Sequence, residues 1–490
     1  MMTGYRGMVV ILLLVLLVTG CAGRSGTPGG GSPSGAAGGT NGQSSAGGGG
    51  ANVQPPADGS GGAGNAAGSG ESEPAPADPV RDQLGKLSTD EKIGQLVLVG
   101  MDGTEIGQNA RDLIEKEHVG GFIFYKDNIQ DKDQALALFN ALKAANRDQP
   151  VPLFLSVDEE GGRVSRMPGE FVKLPAMRAI GDTGSEELAG QIGGVIGKEL
   201  SGFGLNLDFA PVLDVNSNPD NPVIGDRAFG EKPDIVSKMG IAVMNGIREQ
   251  DVIPVVKHFP GHGDTAVDSH LGLPVVEHDL NRLRKLELVP FARAIKGGAD
   301  VVMIAHLLLP KLDPDHPASF SEAVIHGLLR EELQFEGTII SDDMTMGAIV
   351  KNYDIGEAAV QFLLAGGNIV LVGHDYDQEK AVIQAIREAV AAGKISGEVL
   401  DDRVYNVLKL KAKYALNAKP ASGPDVKAIN REIRSLLEEN GLKQPLDPGD
   451  IDTGLNRSGR AAVSQRPPLP DSRPAPGRTP RPAGQSAPAH

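Results

Sequence analysis

Eight short apolar runs recur along the middle of the chain, and this rhythm restricts the fold more than any other feature. The runs are 96–99, 121–125, 153–157, 205–209, 253–256, 301–304, 338–340 and 369–372. Most are nearly continuous in apolar residues instead of alternating, as expected of strands covered on both faces. Segments long enough for helices separate most of them, as at 131–145, 186–200 and 353–365. Ser88 and Glu91 have the spacing of a capping box that opens a helix. Parallel strands with helices outside imply an α/β fold, and eight units predict a (β/α)8 barrel of the TIM type. A doubly wound open sheet is the alternative.

The pattern occupies residues 81–418, roughly 340 residues, within the range of one barrel domain. Residues 21–80 differ. They are mostly Gly, Ala, Ser and Pro, with no aromatic residue and no Lys or Arg after Arg24. Such a segment cannot bury enough apolar surface to offset its ordering entropy. It reads as a flexible tether with an r.m.s. reach of roughly 40 Å. Residues 419–490 are also poor in apolar residues and read as a mostly disordered tail. Residues 453–490 hold six Arg and one Asp, suited to solvation or to weak attraction to anionic polymers or headgroups. The net charge of −16 argues against nucleic acid as a partner.

At the N-terminus Arg6 precedes the apolar run 8–18. The run is too short for an ordinary membrane span and suits the hydrophobic region of an export signal over residues 1–20. It ends in Leu17-Val18-Thr19-Gly20-Cys21, which resembles a bacterial lipobox. Cys21 is the single cysteine, so no intrachain disulfide can form. The expected product is exported and anchored to the outer side of the cell membrane through lipidated Cys21.

The chemistry concentrates after the fifth run. Lys257 to His270 reads Lys-His-Phe-Pro-Gly-His-Gly-Asp-Thr-Ala-Val-Asp-Ser-His. One lysine, three histidines and two aspartates share fourteen positions. Pro260, Gly261 and Gly263 argue against a continuous helix and place these groups on a loop. Other polar residues also follow runs: Asp158 the third, His306 the sixth, Asp342 the seventh, with Asp208 at the end of the fourth. In a barrel all these strand ends open on one face, where active sites are built.

Asp342 can cap the following helix or act as a nucleophile on an acetal carbon, leaving a covalent glycosyl ester. Such attack needs an acid for the departing oxygen. Asp268-Ser269-His270 can supply it, because a carboxylate orients an imidazole and favours its charged form. A metal site competes for the same residues. His258 and His262 have a spacing that would share a helix face, but Pro260 and Gly261 lie between them, and one cysteine offers no thiolate cluster.

The stretch 257–270, together with Leu329-Arg330-Glu331-Glu332-Leu333-Gln334-Phe335-Glu336-Gly337-Thr338-Ile339-Ile340-Ser341-Asp342, resembles glycoside hydrolase family 3. Within it the similarity is to β-N-acetylglucosaminidases that act on peptidoglycan fragments, and it covers about residues 84–415. The resemblance implies a (β/α)8 barrel with no metal or organic cofactor. It implies Asp342 as nucleophile, His270 as acid/base and Asp268 as its partner. Asp158, Arg166, Arg227, Lys257 and His258 are implied as ligands of the terminal sugar. Arg163 is expected in a surface salt bridge or behind the site, and Glu159, Glu160 and Asp343 in supporting roles. His262 and Asp264 are expected to shape the loop, and His306 to sit in the site wall. Too little chain follows the barrel for the second α/β domain that many relatives carry, which fits an acid supplied from within the barrel. The expected activity is retaining release of terminal N-acetylglucosamine from a carbohydrate substrate by a monomer. A β-glucosidase or β-xylosidase, a phosphorylase, or a sugar-binding protein without turnover are the alternatives.

Overall fold

The structure, a computed structural model, describes residues 77–443. The export signal, Cys21, nearly all of the tether and the Arg-rich end of the tail lie outside these residues. Every expected run contains a strand: β1 Val97–Val99, β2 Gly121–Ile123, β3 Phe154–Val157, β4 Leu207–Asp208, β5 Ile253–Phe259, β6 Val301–Ile304, β7 Thr338–Ser341 and β8 Val370–Val372. They pair in parallel in the order β7-β6-β5-β4-β3-β2-β1-β8. A parallel bridge between Ile340 and Ile369 closes the ring, with the Ser341 N–H donating to Ile369 O at 3.0 Å. The sheet is therefore a barrel and not an open sheet. All residues of all eight strands are buried, which accounts for their continuous apolar runs.

Local signals set the surrounding helices. Ser88 Oγ accepts from the Glu91 N–H at 3.2 Å while Glu91 Oε2 accepts from the Ser88 N–H at 2.7 Å, the expected capping box. The helix Glu186–Phe203 is capped by Ser185 and stopped by Gly204 at φ +75°, where a side chain would be strained. The mouth of the barrel opposite the loops that follow β5 and β7 is closed by Lys411, on the helix Gly397–Lys413. Its Nζ donates to Gln95 Oε1 at 2.7 Å and to the carbonyls of Gly120 and Pro152, both at 2.8 Å. Three acceptors compensate the burial that pushes this amine well below its usual range.

Two expectations are corrected. The fifth strand runs on through Lys257 and His258 to Phe259, so those residues belong to the strand and not to the loop after it. Polar residues end an apolar run in the sequence, but here they continue the ladder because charged neighbours satisfy them inside the barrel. The tail is also not disordered from residue 419. Val426–Glu439 forms a helix capped by Asp425, with Ile429, Ile433, Leu436 and Leu437 buried. It packs on the helix Glu186–Phe203. Lys198 Nζ meets Glu432 Oε1 at 2.6 Å, and Asn430 bridges Val172 N–H and Glu170 O. Four spaced apolar residues in a polar segment suffice once a partner face exists.

Ile433 is fully buried in this contact. Ile433→Ala should lower the unfolding free energy by about 2–5 kcal/mol, read from denaturant melts. Stability equal to the parent chain would mean the helix does not pack there.

Candidate active site

A chain of alternating charges crosses the open mouth of the barrel. Lys257, from β5, is 2% exposed and stands between two carboxylates that follow β3. Its Nζ lies 2.6 Å from Asp158 Oδ1 and 2.7 Å from Glu160 Oε1. Glu160 in turn takes a two-pronged contact from Arg227, with Nε to Oε2 and Nη2 to Oε1 both at 2.7 Å. At the other end Arg166 Nη2 reaches Asp158 Oδ2 at 3.5 Å. Burial works against the ionised form of Glu160, but Arg227 and Lys257 outweigh it and hold the carboxyl far below the usual range. Burial likewise opposes the Lys257 ammonium, and Asp158 and Glu160 reverse that and raise its pKa. The Arg166 Nε is buried with no partner, a donor left for a ligand.

The next residue, His258, is oriented from behind. Its Nδ1 is 2.7 Å from Asp214 Oδ2, and Asp214 is fully buried. Burial raises the cost of the Asp214 charge, but His258 and His262 more than offset it and keep its pKa low. Asp214 Oδ1 also accepts the His262 N–H at 2.6 Å, pinning the start of the loop that leaves β5. His262 contacts Thr265 Oγ1 at 2.8 Å and Ser269 Oγ at 3.2 Å. Burial, then the neighbouring His258, pushes its pKa to about 4, so it serves as a neutral hub of the loop. Gly263 is required here: a Cβ would sit 1.8 Å from Val215 O.

The loop delivers Asp268 and His270. Asp268 Oδ1 accepts the His270 N–H at 2.9 Å and faces His270 Nδ1 at 2.9 Å. The His270 side chain is 67% exposed. The loop after β7 meets it, with the Ala348 N–H donating to Ser269 O at 3.0 Å. That second loop carries Asp342. Burial opposes its ionisation, but His306, His258, the Asp343 N–H and Lys257 together hold its pKa below the ordinary carboxylate value. Asp343 is spent on structure: its Oδ1 accepts from Thr345 N–H, Thr345 Oγ1 and Gly373 N–H.

Asp158, Arg166, Arg227, Lys257, His258, Asp268, His270 and Asp342 all line one cavity of about 430 Å³. A nucleophilic carboxylate and a carboxylate-supported imidazole, both facing one polar cavity, can carry out a displacement with proton transfer to the leaving group. Arg163 lies at the rim, paired with Asp226 at 2.9 Å. His306 is not in the wall as expected. It is fully buried behind it, holding Asp343 O at 3.0 Å and Ser319 Oγ at 2.9 Å. Asp208, counted among the strand-end groups, is likewise sealed off beneath the site. Sequence reasoning missed Asp214, and it missed Tyr125 and His374, which stack in the cavity wall at 4.3 Å. Nothing in their local pattern marks them.

Beneath the site lie three buried acids. Asp208 Oδ1 accepts the Glu159 N–H at 2.9 Å, and Glu159 Oε2 accepts the Arg166 N–H at 2.8 Å. Asp208 Oδ2 and Glu199 Oε2 have no partner. Burial pushes Glu159 up to about 7 and Asp208 and Glu199 well above their usual range. Glu199 falls in register with Ile192, Val195, Ile196 and Phe203 on one helix face. That phase was a legible sign of a buried acid.

A model of the glycosyl hydrolase family 3 N-terminal domain matches residues 88–410. The chain is 34% identical over 334 residues to beta-hexosaminidase A of Pseudoalteromonas piscicida, covering 63% of this chain and 56% of that relative. It is 33% identical to a beta-hexosaminidase of Idiomarina loihiensis, covering 64% of this chain and 96% of the relative. A solved glycoside hydrolase family 3 beta-N-acetylglucosaminidase from a Paenibacillus superposes with a TM-score of 0.68 at 40% identity, covering 72% of this chain and 69% of that one.

The raised acids fix the sign of the pH dependence. Glu159, Glu199 and Asp208 hold protons in the folded state that the unfolded chain releases above the ordinary carboxylate range. Their contribution to stability therefore falls as pH rises above the ordinary carboxylate range, for Glu159 through about 7. Glu160, Asp214 and Asp342 act oppositely: their contribution is lost as pH falls below about 4. Glu199→Gln should raise the melting temperature at pH 8 relative to that at pH 5, compared with the parent chain and followed by scanning fluorimetry, and an unchanged difference would contradict the buried-acid account.

Proposed function

The chain belongs to glycosyl hydrolase family 3, and from that premise we propose that it is a retaining exo-β-N-acetylglucosaminidase releasing terminal N-acetylglucosamine from peptidoglycan-derived fragments. The observation that carries the reading is the meeting of Asp342 and the Asp268–His270 pair, from two separate strand-end loops, in one cavity. Relatives described as beta-hexosaminidases and as a beta-N-acetylglucosaminidase support the choice of sugar.

In this reading the Asp342 carboxylate attacks the anomeric carbon as the glycosidic C–O bond breaks. The departing oxygen takes a proton from His270 Nε2, while Asp268 holds Nδ1. A glycosyl ester on Asp342 results. Neutral His270 then takes a proton from water, whose oxygen attacks the anomeric carbon and frees the carboxylate. The low pKa of Asp342 keeps it ionised for the first step. Asp158, Arg166, Lys257, Arg227 and His258 hold the sugar. Ion pairs among them and to Glu160 and Asp214 fix them before substrate arrives, which lowers the entropic part of the barrier. We further infer a monomer exported and lipid-anchored on the outer side of the membrane, supported by the lipobox-like run ending at Cys21.

Two outcomes test the mechanism. A slow fluorinated substrate should leave a sugar adduct on Asp342 in the mass spectrum, and Asp342→Ala should lower kcat on the order of 10⁴-fold or more. Turnover without an adduct, or a preference for an aryl glucoside over the aryl N-acetylglucosaminide, would overturn the mechanism or the sugar assignment respectively. Gly347 packs against the acid loop so closely that a Cβ would lie 2.5 Å from His270 O. Gly347→Ala should displace the imidazole and lower kcat about 10- to 100-fold with the fold intact by circular dichroism.

A further inference from the structure

Two lysines are buried at the end of the barrel away from Asp342, and their surroundings differ. Lys411 gives its three donors to three acceptors. Lys143, on the helix Lys132–Ala145, is 9% exposed. Among the described residues its Nζ has neither a hydrogen-bond acceptor nor a carboxylate partner. A lysine at that depth is ordinarily paired. It lies under the end of the helix Glu186–Phe203, where a Cβ on Gly204 would sit 2.1 Å from Nζ. The last carbonyls of that helix serve its own cap: Ser201 O accepts the Gly204 N–H at 2.9 Å and Leu200 O the Leu205 N–H at 3.0 Å. Burial lowers the Lys143 pKa, and no neighbouring charge or hydrogen bond works against it.

The amine lines a cavity of about 790 Å³. The cavity opens among 204–206 and 248–251, where β4 and β5 begin, so it is on the opposite side of the barrel from Asp342 and His270. Arg248 lines it too. Its guanidinium donates to neutral acceptors, Gly298 O at 2.7 Å and Asn245 Oδ1, and to no carboxylate among the described residues. Lys413 is a third cation in the wall, but Asp300 neutralises it and also accepts the Tyr414 O–H at 2.7 Å. Glu249 and Asp251 stand at the exposed rim and pair with neither Lys143 nor Arg248. Two cations without a carboxylate in one cavity, one of them nine-tenths buried with every donor free, call for an anion. The acids at the rim repel a polyanion, so the ligand that fits is small and compact.

We propose that Lys143 and Arg248 form a second binding site, on the barrel face opposite the catalytic loops, for a small oxyanion: a carboxylate or a phosphate carried on a compact molecule. The anion supplies the acceptor that Lys143 lacks. It favours the ammonium over the neutral amine, so binding takes up a proton wherever that amine is partly neutral. The site is independent of the glycosidase reading, since none of its residues reaches the catalytic cavity.

The test is calorimetric titration of the full chain with inorganic phosphate and with acetate, at an ionic strength held constant by sodium chloride. At least one should bind saturably, one per chain, with a Kd on the order of 1 mM. The tighter of the two identifies the headgroup. At about pH 9 the heat should vary with the ionisation enthalpy of the buffer, and affinity should fall as pH rises further. Arg248, Glu249, Asp251, Lys413 and Tyr414 face the same cavity, so Lys143→Met isolates the amine while keeping its bulk. That variant should lose the proton uptake and bind about tenfold more weakly or worse, with a melting temperature equal to or above the parent. Arg248→Gln should weaken binding and keep the proton uptake. Absence of saturable heat with either probe would overturn the proposal and leave water as the partner of the amine. Binding that both variants leave unchanged would overturn it as well.

Discussion

The ammonium of Lys257 is the constraint on which the open face of the barrel depends. It is almost fully buried at the end of a central strand, and such a charge survives only with excellent compensation. Asp158 and Glu160 provide it from the loop after β3, two strands away in the barrel, at 2.6 and 2.7 Å. Arg227 then balances Glu160, and Arg166 balances Asp158. Five side chains from separated stretches of sequence are thereby locked in one arrangement, and all but Glu160 line the cavity. Removing one member would leave a neighbour buried and uncompensated, so the set behaves as a unit.

A second, looser system stands on this rigid one. The loop from Gly261 to Leu271 is held at its base by Asp214 and His262, and near its tip by the Ala348–Ser269 hydrogen bond. Next to the second anchor the His270 ring remains largely exposed. This division suits the chemistry of a glycoside hydrolase. The groups proposed to hold the released sugar are preorganised, while the proposed acid/base sits on an element that can settle against the leaving group. The loop after β7 takes part in both systems, since it carries Asp342 and also braces the acid loop.

The same face is not built for maximal stability. Glu159, Glu199 and Asp208 are buried together below the ion chain with some of their oxygens unpaired. Glu159 nevertheless holds the Arg166 and Met167 backbone N–H groups and so shapes the loop that presents Arg166. An acid in that position orders the site at a cost that grows with pH. A natural protein tolerates this where local order at the site outweighs a few kcal/mol of global stability.

Much of the fold was legible in the sequence, because both-face burial leaves a mark in the chain itself. Each of the eight apolar runs contains a strand, and the capping box at Ser88 and Glu91 is made as spaced. Asp268 and His270 lie two residues apart, so their contact was also written locally. The misreadings have one cause. Lys257 and His258 looked like loop residues because their partners, Asp158, Glu160 and Asp214, are distant in sequence. The helix Val426–Glu439 looked like tail because the face it covers is formed by residues 186–203. His306 and Asp208 share a strand-end position with Asp342, yet only Asp342 lines the cavity. The sequence by itself determined periodicity, caps and the loop chemistry, all of which depend on neighbours in the chain. Which charges are compensated, which helix finds a partner and which strand end faces the cavity were decided only by the closed barrel, since electrostatics and burial act through space.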